Sequence, residues 1–581
     1  MELIRKLMFF LNKRQKIGVL LLTFMIFIGA LLETLGVSAI IPVVEQMADS
    51  GGENNLYTEI IAKIFHITDT DRIFICMLLI MIIIYVVKGI YLLFLTYVQA
   101  KFINSNMSVT MGNLLEWYLN RPYEFFLYAD VPEILRIIRS DIGNVFAILS
   151  DSMQLMSELM VTLCLGIFLL ITDWKMMIFL MILVVGITFI VIKQLKNRVG
   201  NLGRADQVHA AELTKWILQS MNGIKITKVL HREIYFNRHY RDEADRQAKT
   251  KIKYTVYGAA PRICLETVFV SGILIYLILN ILNGSARTQM VSVLAAFAVA
   301  AFRLLPSVSR INTYLANIAY YEPSLTTIYE LVKKEGYDKI FNSNKGEDVK
   351  LNEDVEFVLK DSIVLKGITF AYPSTDKKIL DKADMELPLG SSIGIKGPSG
   401  AGKTTVVDVL LGLLQIQEGT ISCSGQDVLQ HKQKWLSHIG YIPQNAYLTD
   451  ATIKMNIAFG VEEEDIDEER VWEVLRESQM EKFVNELPDK LETEVGEQGI
   501  RISGGQKQRL GIARALYHDP ELLIFDEATS ALDNNTETAI MEAIEQFKGR
   551  KTMIIIAHRL RTIEQCDIIY NVSDGKIVRE R

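Results

Sequence analysis

Gly397-Pro398-Ser399-Gly400-Ala401-Gly402-Lys403-Thr404-Thr405 is the stretch that decides how the second half of this chain folds. A strand-like run, Ser391-Ser392-Ile393-Gly394-Ile395-Lys396, enters it, and a helical run from Thr404 to Leu414 leaves it. Gly397, Gly400 and Gly402 let backbone N–H groups wrap a phosphate, and the helix that follows adds the positive end of its dipole. From that loop Lys403 reaches the β- and γ-phosphates of a nucleotide, and the Thr404 hydroxyl supplies an oxygen to Mg2+. The loop alone predicts a nucleotide site and nothing narrower.

Outward from the loop, further elements follow in order. Ile502-Ser503-Gly504-Gly505-Gln506 comes about a hundred residues later. Leu522-Leu523-Ile524-Phe525 is an apolar strand that ends on two adjacent acids, Asp526 and Glu527. Thr552-Met553-Ile554-Ile555-Ile556-Ala557 is another such run, and His558 follows it. Earlier lie Phe370-Ala371-Tyr372-Pro373 and Tyr441-Ile442-Pro443-Gln444-Asn445. Strands alternate with helices from Ile363 to the C-terminus, which predicts an α/β domain over 361–581 with a largely parallel sheet. Residues 333–360 are charged and aperiodic, so 326–360 reads as a linker.

The first part of the chain is of another kind. Of the 581 residues, 50% are hydrophobic, which argues against a wholly soluble protein. Segments near 17–41, 73–98, 145–171, 176–193, 263–282 and 290–318 can each cross about 30 Å of hydrocarbon, which needs about 20 apolar residues. The connections 99–144 and 194–262 are rich in Lys and Arg and are expected on the cytoplasmic side, whereas 42–72 is acidic and expected outside. Six spans over 1–325 then place both termini in the cytoplasm. The long basic connections have helical periodicity, interrupted at Arg121-Pro122-Tyr123-Glu124-Phe125-Phe126 and at Gly223-Ile224-Lys225-Ile226-Thr227-Lys228. The spans are therefore expected to continue into the cytosol and fold back there. Ile4, Leu7, Met8 and Leu11 recur at helical spacing beside Arg5 and Lys6, as in a helix lying on the inner membrane surface. The five cysteines, Cys76, Cys164, Cys264, Cys423 and Cys566, include no CxxC pair, which argues against a zinc site or a disulfide framework. A net charge of −6 gives no reason to expect a nucleic-acid partner.

The ordered set of phosphate loop, SGGQ, apolar strand into Asp-Glu and late His resembles the ATP-binding cassette. Joined to the membrane segments, it resembles an ABC exporter half-transporter: a multi-domain membrane protein with a six-helix all-α transmembrane domain followed by an α/β P-loop cassette. The resemblance implies a role for each matched residue, with ATP and Mg2+ as cofactors. Asp526 matches the carboxylate that holds Mg2+, and Glu527 the group that orients or deprotonates the attacking water. Gln444 matches the Q-loop glutamine, which senses Mg2+ and the membrane domain. His558 matches the switch histidine on the γ-phosphate, and Tyr372 the aromatic that stacks on adenine. Ser503, Gly504, Gly505 and Gln506 match the signature that caps the nucleotide held by a second cassette, so the resemblance implies a homodimer with two composite sites. The interrupted segments match coupling helices that dock on the cassette.

Charges within spans are costly and mark function. Arg303, Ser307, Arg310, Tyr314 and Asn317 recur at helical spacing on one polar face. Lys88 lies in the second span and Arg262 opens the fifth. Four such cations suit a multiply charged anion. Internal pairing is the alternative, with Glu33, Asp151, Glu158 and Glu266 as available acids. Ala260-Pro261-Arg262-Ile263-Cys264-Leu265-Glu266 and Phe302-Arg303-Leu304-Leu305-Pro306-Ser307-Val308-Ser309-Arg310-Ile311 resemble segments of PglK-type lipid-linked oligosaccharide flippases. That resemblance implies a membrane lipid as cargo, a polyprenyl-pyrophosphate-linked glycan, met by Arg262, Arg303 and Arg310. At the position of Lys88 the family pattern has arginine, so a point charge replaces a planar fork there.

Overall fold

In this computed structural model, residues 2–38, 70–172, 174–282, 287–341 and most of 357–581 are described; 358, 374, 376, 497–498, 528–544 and 558–562 are not included. The chain divides into two compact units, one of Met1–Arg121 with Ala129–Lys345 and one of Pro122–Tyr128 with Gly346–Arg581.

The first unit is helical. A short α1 (Glu2–Phe10) precedes α2 (Lys13–Ser38) and α3 (Thr70–Leu119). After the interruption at Pro122 come α4 (Tyr123–Tyr128), which belongs to the second unit, and α5 (Val131–Arg136). A π-helical turn, Ile137–Asp141, runs on into α6 (Ile142–Thr172). Then follow α7 (Trp174–Asn222), a short α8 (Ile224–Val229), α9 (Glu233–Leu282) and α10 (Arg287–Glu335), with a last turn α11 (Tyr337–Phe341). At 50 residues, α3 is about 75 Å long, more than twice the hydrocarbon thickness. Many of its apolar side chains, among them Leu93 at 74% exposure, face outward, as a lipid-facing surface requires, while Ile73, Met77, Leu95 and Leu114 are buried. The Pro122 ring and Gly223 stand where the long helices stop, and each is followed by a helix of 6 residues.

The boundary at 325 needs correction. Helix α10 continues unbroken through Glu335, and α11 extends helical structure to Phe341, so the first part of the supposed linker is helical. Leu325, Ile328 and Val332 recur every three or four residues and are buried, which gives this stretch a core face that its charges obscured. Helix α1 also differs from the sequence reading. Leu7 and Leu11 of its expected stripe are buried with Lys6 and Phe10, and Ile4 and Met8 are exposed. The Phe10 ring meets Phe146 and Phe341 edge-on, and Lys6 donates to the Thr326 hydroxyl at 3.2 Å.

A polar node ties distant parts of this unit. Asp141 is fully buried, and its carboxylate takes Arg136 at 2.9 Å, Gln207 Nε2 at 2.9 Å and Ser324 Oγ at 2.8 Å. Asn144 donates in turn to Ser324 at 2.9 Å. Gly203 lets α7 approach α10, because a Cβ there would overlap the carbonyl of Tyr320.

The second unit carries two sheets. A four-stranded antiparallel sheet is ordered β2-β1-β4-β5, from β1 (Ser362–Ala371), β2 (Lys378–Pro388), β4 (Glu418–Cys423) and β5 (Gln426–Asp427). The larger sheet is ordered β10-β9-β3-β8-β7-β6. Its members are β3 (Ser392–Lys396), β6 (Ile439–Ile442), β7 (Leu522–Asp526), β8 (Thr552–Ile556), β9 (Ile568–Ser573) and β10 (Lys576–Arg579). The five strands β9, β3, β8, β7 and β6 run parallel, and β10 closes the edge antiparallel. Wholly buried β7 and β8 read as continuous apolar runs because both faces of the sheet are covered. In such a sheet ligands bind beyond the carboxyl ends of the strands. Gly397 follows β3, Gln444 follows β6, and Asp526 with Glu527 ends β7, so topology alone gathers these residues along one edge.

Candidate functional site

The phosphate loop joins β3 to α12 (Lys403–Leu410). Gly400 and Gly402 have φ of 77° and 99°, and a Cβ at Gly402 would approach Ile379 to 2.7 Å. A side chain at Gly397 would overlap the carbonyl of Val572. These positions need glycine because the loop must turn sharply against β9 and β2. Lys403 is buried and folds back over the loop, where its ammonium donates to the carbonyls of Gly397 at 3.2 Å and Pro398 at 3.1 Å.

Two side-chain contacts draw the strand ends together. Thr404 Oγ1 donates to Oδ1 of Asp526 at 3.4 Å, and Gln444 Nε2 donates to Oε2 of Glu527 at 2.8 Å. Glu527 has φ of 50°, a left-handed conformation that a residue with a Cβ adopts at a cost, and its N–H donates to the Ile556 carbonyl of β8 at 2.9 Å. That bond fixes the strained backbone and with it the direction of the carboxylate. Burial pushes the Asp526 carboxyl up, the hydrogen bond from Tyr441 pulls it down, and the Glu527 charge pushes it up again. The donors brought together by Thr404, Asp526 and Gln444 are all oxygens beside a phosphate loop. That set fits Mg2+, which takes few protein ligands and completes its shell with water and phosphate. The Tyr372 hydroxyl lies 3.3 Å from that of Thr405, which places the ring at the loop.

The signature opens α17 (Gly504–Leu516), with the intervening short helices α13 (Lys432–Ser437), α14 (Ile453–Ile457), α15 (Glu468–Glu477) and α16 (Glu481–Glu486) before it. Ser503 and Gln506 form a reciprocal capping box, with bonds of 2.8 Å and 3.3 Å. Gly504 has open space where a Cβ would stand. Gln508 on the same helix donates to the Pro443 carbonyl at 3.1 Å, and Arg514 donates to the carbonyls of Tyr447 at 2.6 Å and Asn456 at 2.7 Å. The signature helix is thus bonded directly to the segment that carries Gln444. Sequence reasoning passed over Gln508, Arg514, Tyr441 and Asp408, whose partners lie tens of residues away. His558 lies outside the described residues.

Of the cations in the helical unit, Arg310 pairs with Glu158 through Nε at 2.6 Å and Nη2 at 3.3 Å. Lys88 lies against Gly36, with its ammonium 5.1 Å from the centre of the Tyr85 ring. Arg262 is exposed on α9. Arg303 stands on α10, two turns before Arg310, and its side chain lies outside the described residues.

Comparison with known proteins accords with this geometry. Residues 380–530 match the family described as ABC transporter, and 18–305 match the ABC transporter transmembrane region. An ATP-dependent lipid A-core flippase from Desulfotalea psychrophila is 30% identical over 416 residues, 70% of this chain and 69% of that one. A multidrug resistance ABC transporter ATP-binding and permease protein from Lactococcus lactis subsp. lactis is 27% identical over 464 residues, 79% of this chain and 76% of that one. The fold is shared with a bacterial Atm1-family ABC exporter solved with ATP bound: TM-score 0.74, 21% identity, covering 97% of this chain and 94% of the other. With its membrane region ahead of a nucleotide-binding domain that uses ATP and Mg2+, the chain belongs to the ABC transporters, as a membrane-bound, ATP-hydrolysing exporter half.

Proposed function

We propose that two copies of this chain form an exporter that couples ATP hydrolysis to outward flipping of a polyprenyl-pyrophosphate-linked glycan across the bacterial cytoplasmic membrane, with both termini cytoplasmic. The observation that carries the chemistry is the pair of contacts Thr404–Asp526 and Gln444–Glu527 at adjacent strand ends. Gly397 to Thr405 bind the phosphates, Lys403 adds positive charge to them, and Tyr372 stacks on the base. Thr404, Asp526 and Gln444 would hold Mg2+, which when bound would neutralise charge developing on the phosphates. Glu527 takes the proton of the attacking water, its carboxylate aimed by Gln444 and by its own fixed backbone. His558 contacts the γ-phosphate.

The dimer follows from the signature. Ser503 and Gly504 sit on exposed surface, where a second copy's nucleotide can meet them and the α17 N-terminus. Helix α8 supports the same reading: Ile226 and Leu230 are exposed around a cavity of about 500 Å³ that also involves Tyr235 and Phe236. An apolar face of that kind suits docking on a cassette. For the cargo, the support is the run of cations at Lys88, Arg262, Arg303 and Arg310, together with relatives named as flippases of a lipid. The Arg310–Glu158 pair favours a second reading, an exporter of another lipid or a drug, because Glu158 offsets one of the four charges.

Mixed dimers test the assembly. A Lys403→Ala chain paired with a Ser503→Arg chain puts both lesions in one composite site and leaves the other intact. The mixture should regain ATPase activity that neither variant has alone. Full activity from a strictly monomeric preparation would overturn the two-chain site.

A further inference from the structure

Tyr441 stands on the edge strand β6, opposite Ile524 of β7. Its ring is 36% exposed, yet its hydroxyl points back at the site and donates to Oδ2 of Asp526 at 3.3 Å. The other oxygen of that carboxylate, Oδ1, accepts from Thr404. Two hydroxyls, one from α12 and one from β6, therefore fix the rotation of one carboxylate.

We propose that Tyr441 is a positioning residue, whose hydroxyl sets the orientation of the Asp526 carboxylate. The proposal rests on the assignment of Asp526 as a Mg2+ ligand. A carboxylate aligned by a donor on its far oxygen presents the near one to the cation without further rotation. When the donor is lost, only the 3.4 Å bond from Thr404 holds the carboxylate, which can then rotate away from the cation.

The test uses the full chain carrying Glu527→Gln, so that nucleotide is not consumed, and Mn2+ as the probe, read by its electron paramagnetic resonance signal in the presence of ATP. Tyr441→Phe keeps the ring and should weaken Mn2+ binding about tenfold, the effect of one hydrogen bond to a charged group. ATP affinity in excess chelator should stay unchanged, which also reports that the cassette is folded. Unchanged Mn2+ affinity in Tyr441→Phe would overturn the proposal. Asp526→Asn is measured alongside. If it binds Mn2+ like its parent, the metal assignment fails and the proposal with it; if it weakens binding while Tyr441→Phe does not, only the role of Tyr441 fails.

Discussion

Gln444 and Glu527 are joined by a 2.8 Å hydrogen bond from amide to carboxylate, which ties the loop after β6 to the residue that ends β7. Gln508 holds the same loop from the signature helix through the carbonyl of Pro443, one residue before Gln444. The proposed catalytic carboxylate is therefore braced from one side by its own strand and from the other by a loop fastened to the signature. A movement of either the loop or α17 would change where the Glu527 oxygen points.

Glu527→Gln should lower ATP turnover by roughly 10²- to 10⁴-fold, the usual contribution of a general base. The amide can still meet Gln444, and Lys403, Thr404 and Asp526 are untouched, so ATP affinity should stay near that of the parent. Steady-state hydrolysis and equilibrium nucleotide binding on the same preparation check both halves. Turnover within a few-fold of the parent would remove Glu527 from the chemistry.

Asp141→Ala should destabilise the helical unit by about 3–5 kcal/mol, because it breaks an ion pair whose carboxylate is fully buried. Arg136 is left with Glu133 alone, at 3.4 Å, and Gln207 and Ser324 lose their shared acceptor. Asp141→Asn keeps that acceptor and should cost less. Thermal midpoints of the purified proteins at fixed detergent concentration provide the comparison, and equal midpoints for Asp141→Ala and the parent would contradict it.

Asp408 makes stability depend on pH. Burial and the Asp526 charge raise it from the ordinary 3.8 to about 6, so the folded chain holds this proton more tightly than the unfolded chain. The resulting stabilisation is complete below about 3.8 and is lost as pH rises through about 6. Between pH 5 and pH 7 the midpoint of the parent should fall more than that of Asp408→Asn, whose amide cannot ionise. Parallel profiles for the two proteins would contradict this.

The cassette was legible in the sequence because its site residues are local to strand ends. An apolar run followed within two residues by glycine, acid or glutamine locates each of them, and the parallel sheet does the rest. The helix breaks at Pro122 and Gly223 could be read for a similarly local reason. The Asp141 node was not legible, since Asp141, Gln207 and Ser324 are brought together only when three helices pack. Arg310 fell between the two cases: its spacing marked a polar face, but only packing of α6 on α10 chose Glu158 as its partner. The continuation of α10 past 325 was available in the spacing of Leu325, Ile328 and Val332, and was obscured by the charges between them. Tyr441 looked like an ordinary strand residue because nothing in β6 itself reveals that its hydroxyl reaches a carboxylate on β7.

The most direct test of the proposed function is translocation in sealed vesicles containing the purified chain, with a pyrophosphate-linked polyprenyl glycan in one set and a neutral lipid in the other. The account predicts ATP-dependent flipping of the pyrophosphate substrate, lost in Glu527→Gln, and lost in Arg303→Ala with basal ATP hydrolysis retained. The neutral lipid should be moved little by any of them. Arg310→Ala is a separate arm, because removing it leaves Glu158 buried without its partner and folded yield must be measured beside flipping. Flipping of the pyrophosphate substrate at the parental rate by well-folded Arg303→Ala, or equal transport of the neutral lipid by the parent, would contradict the account.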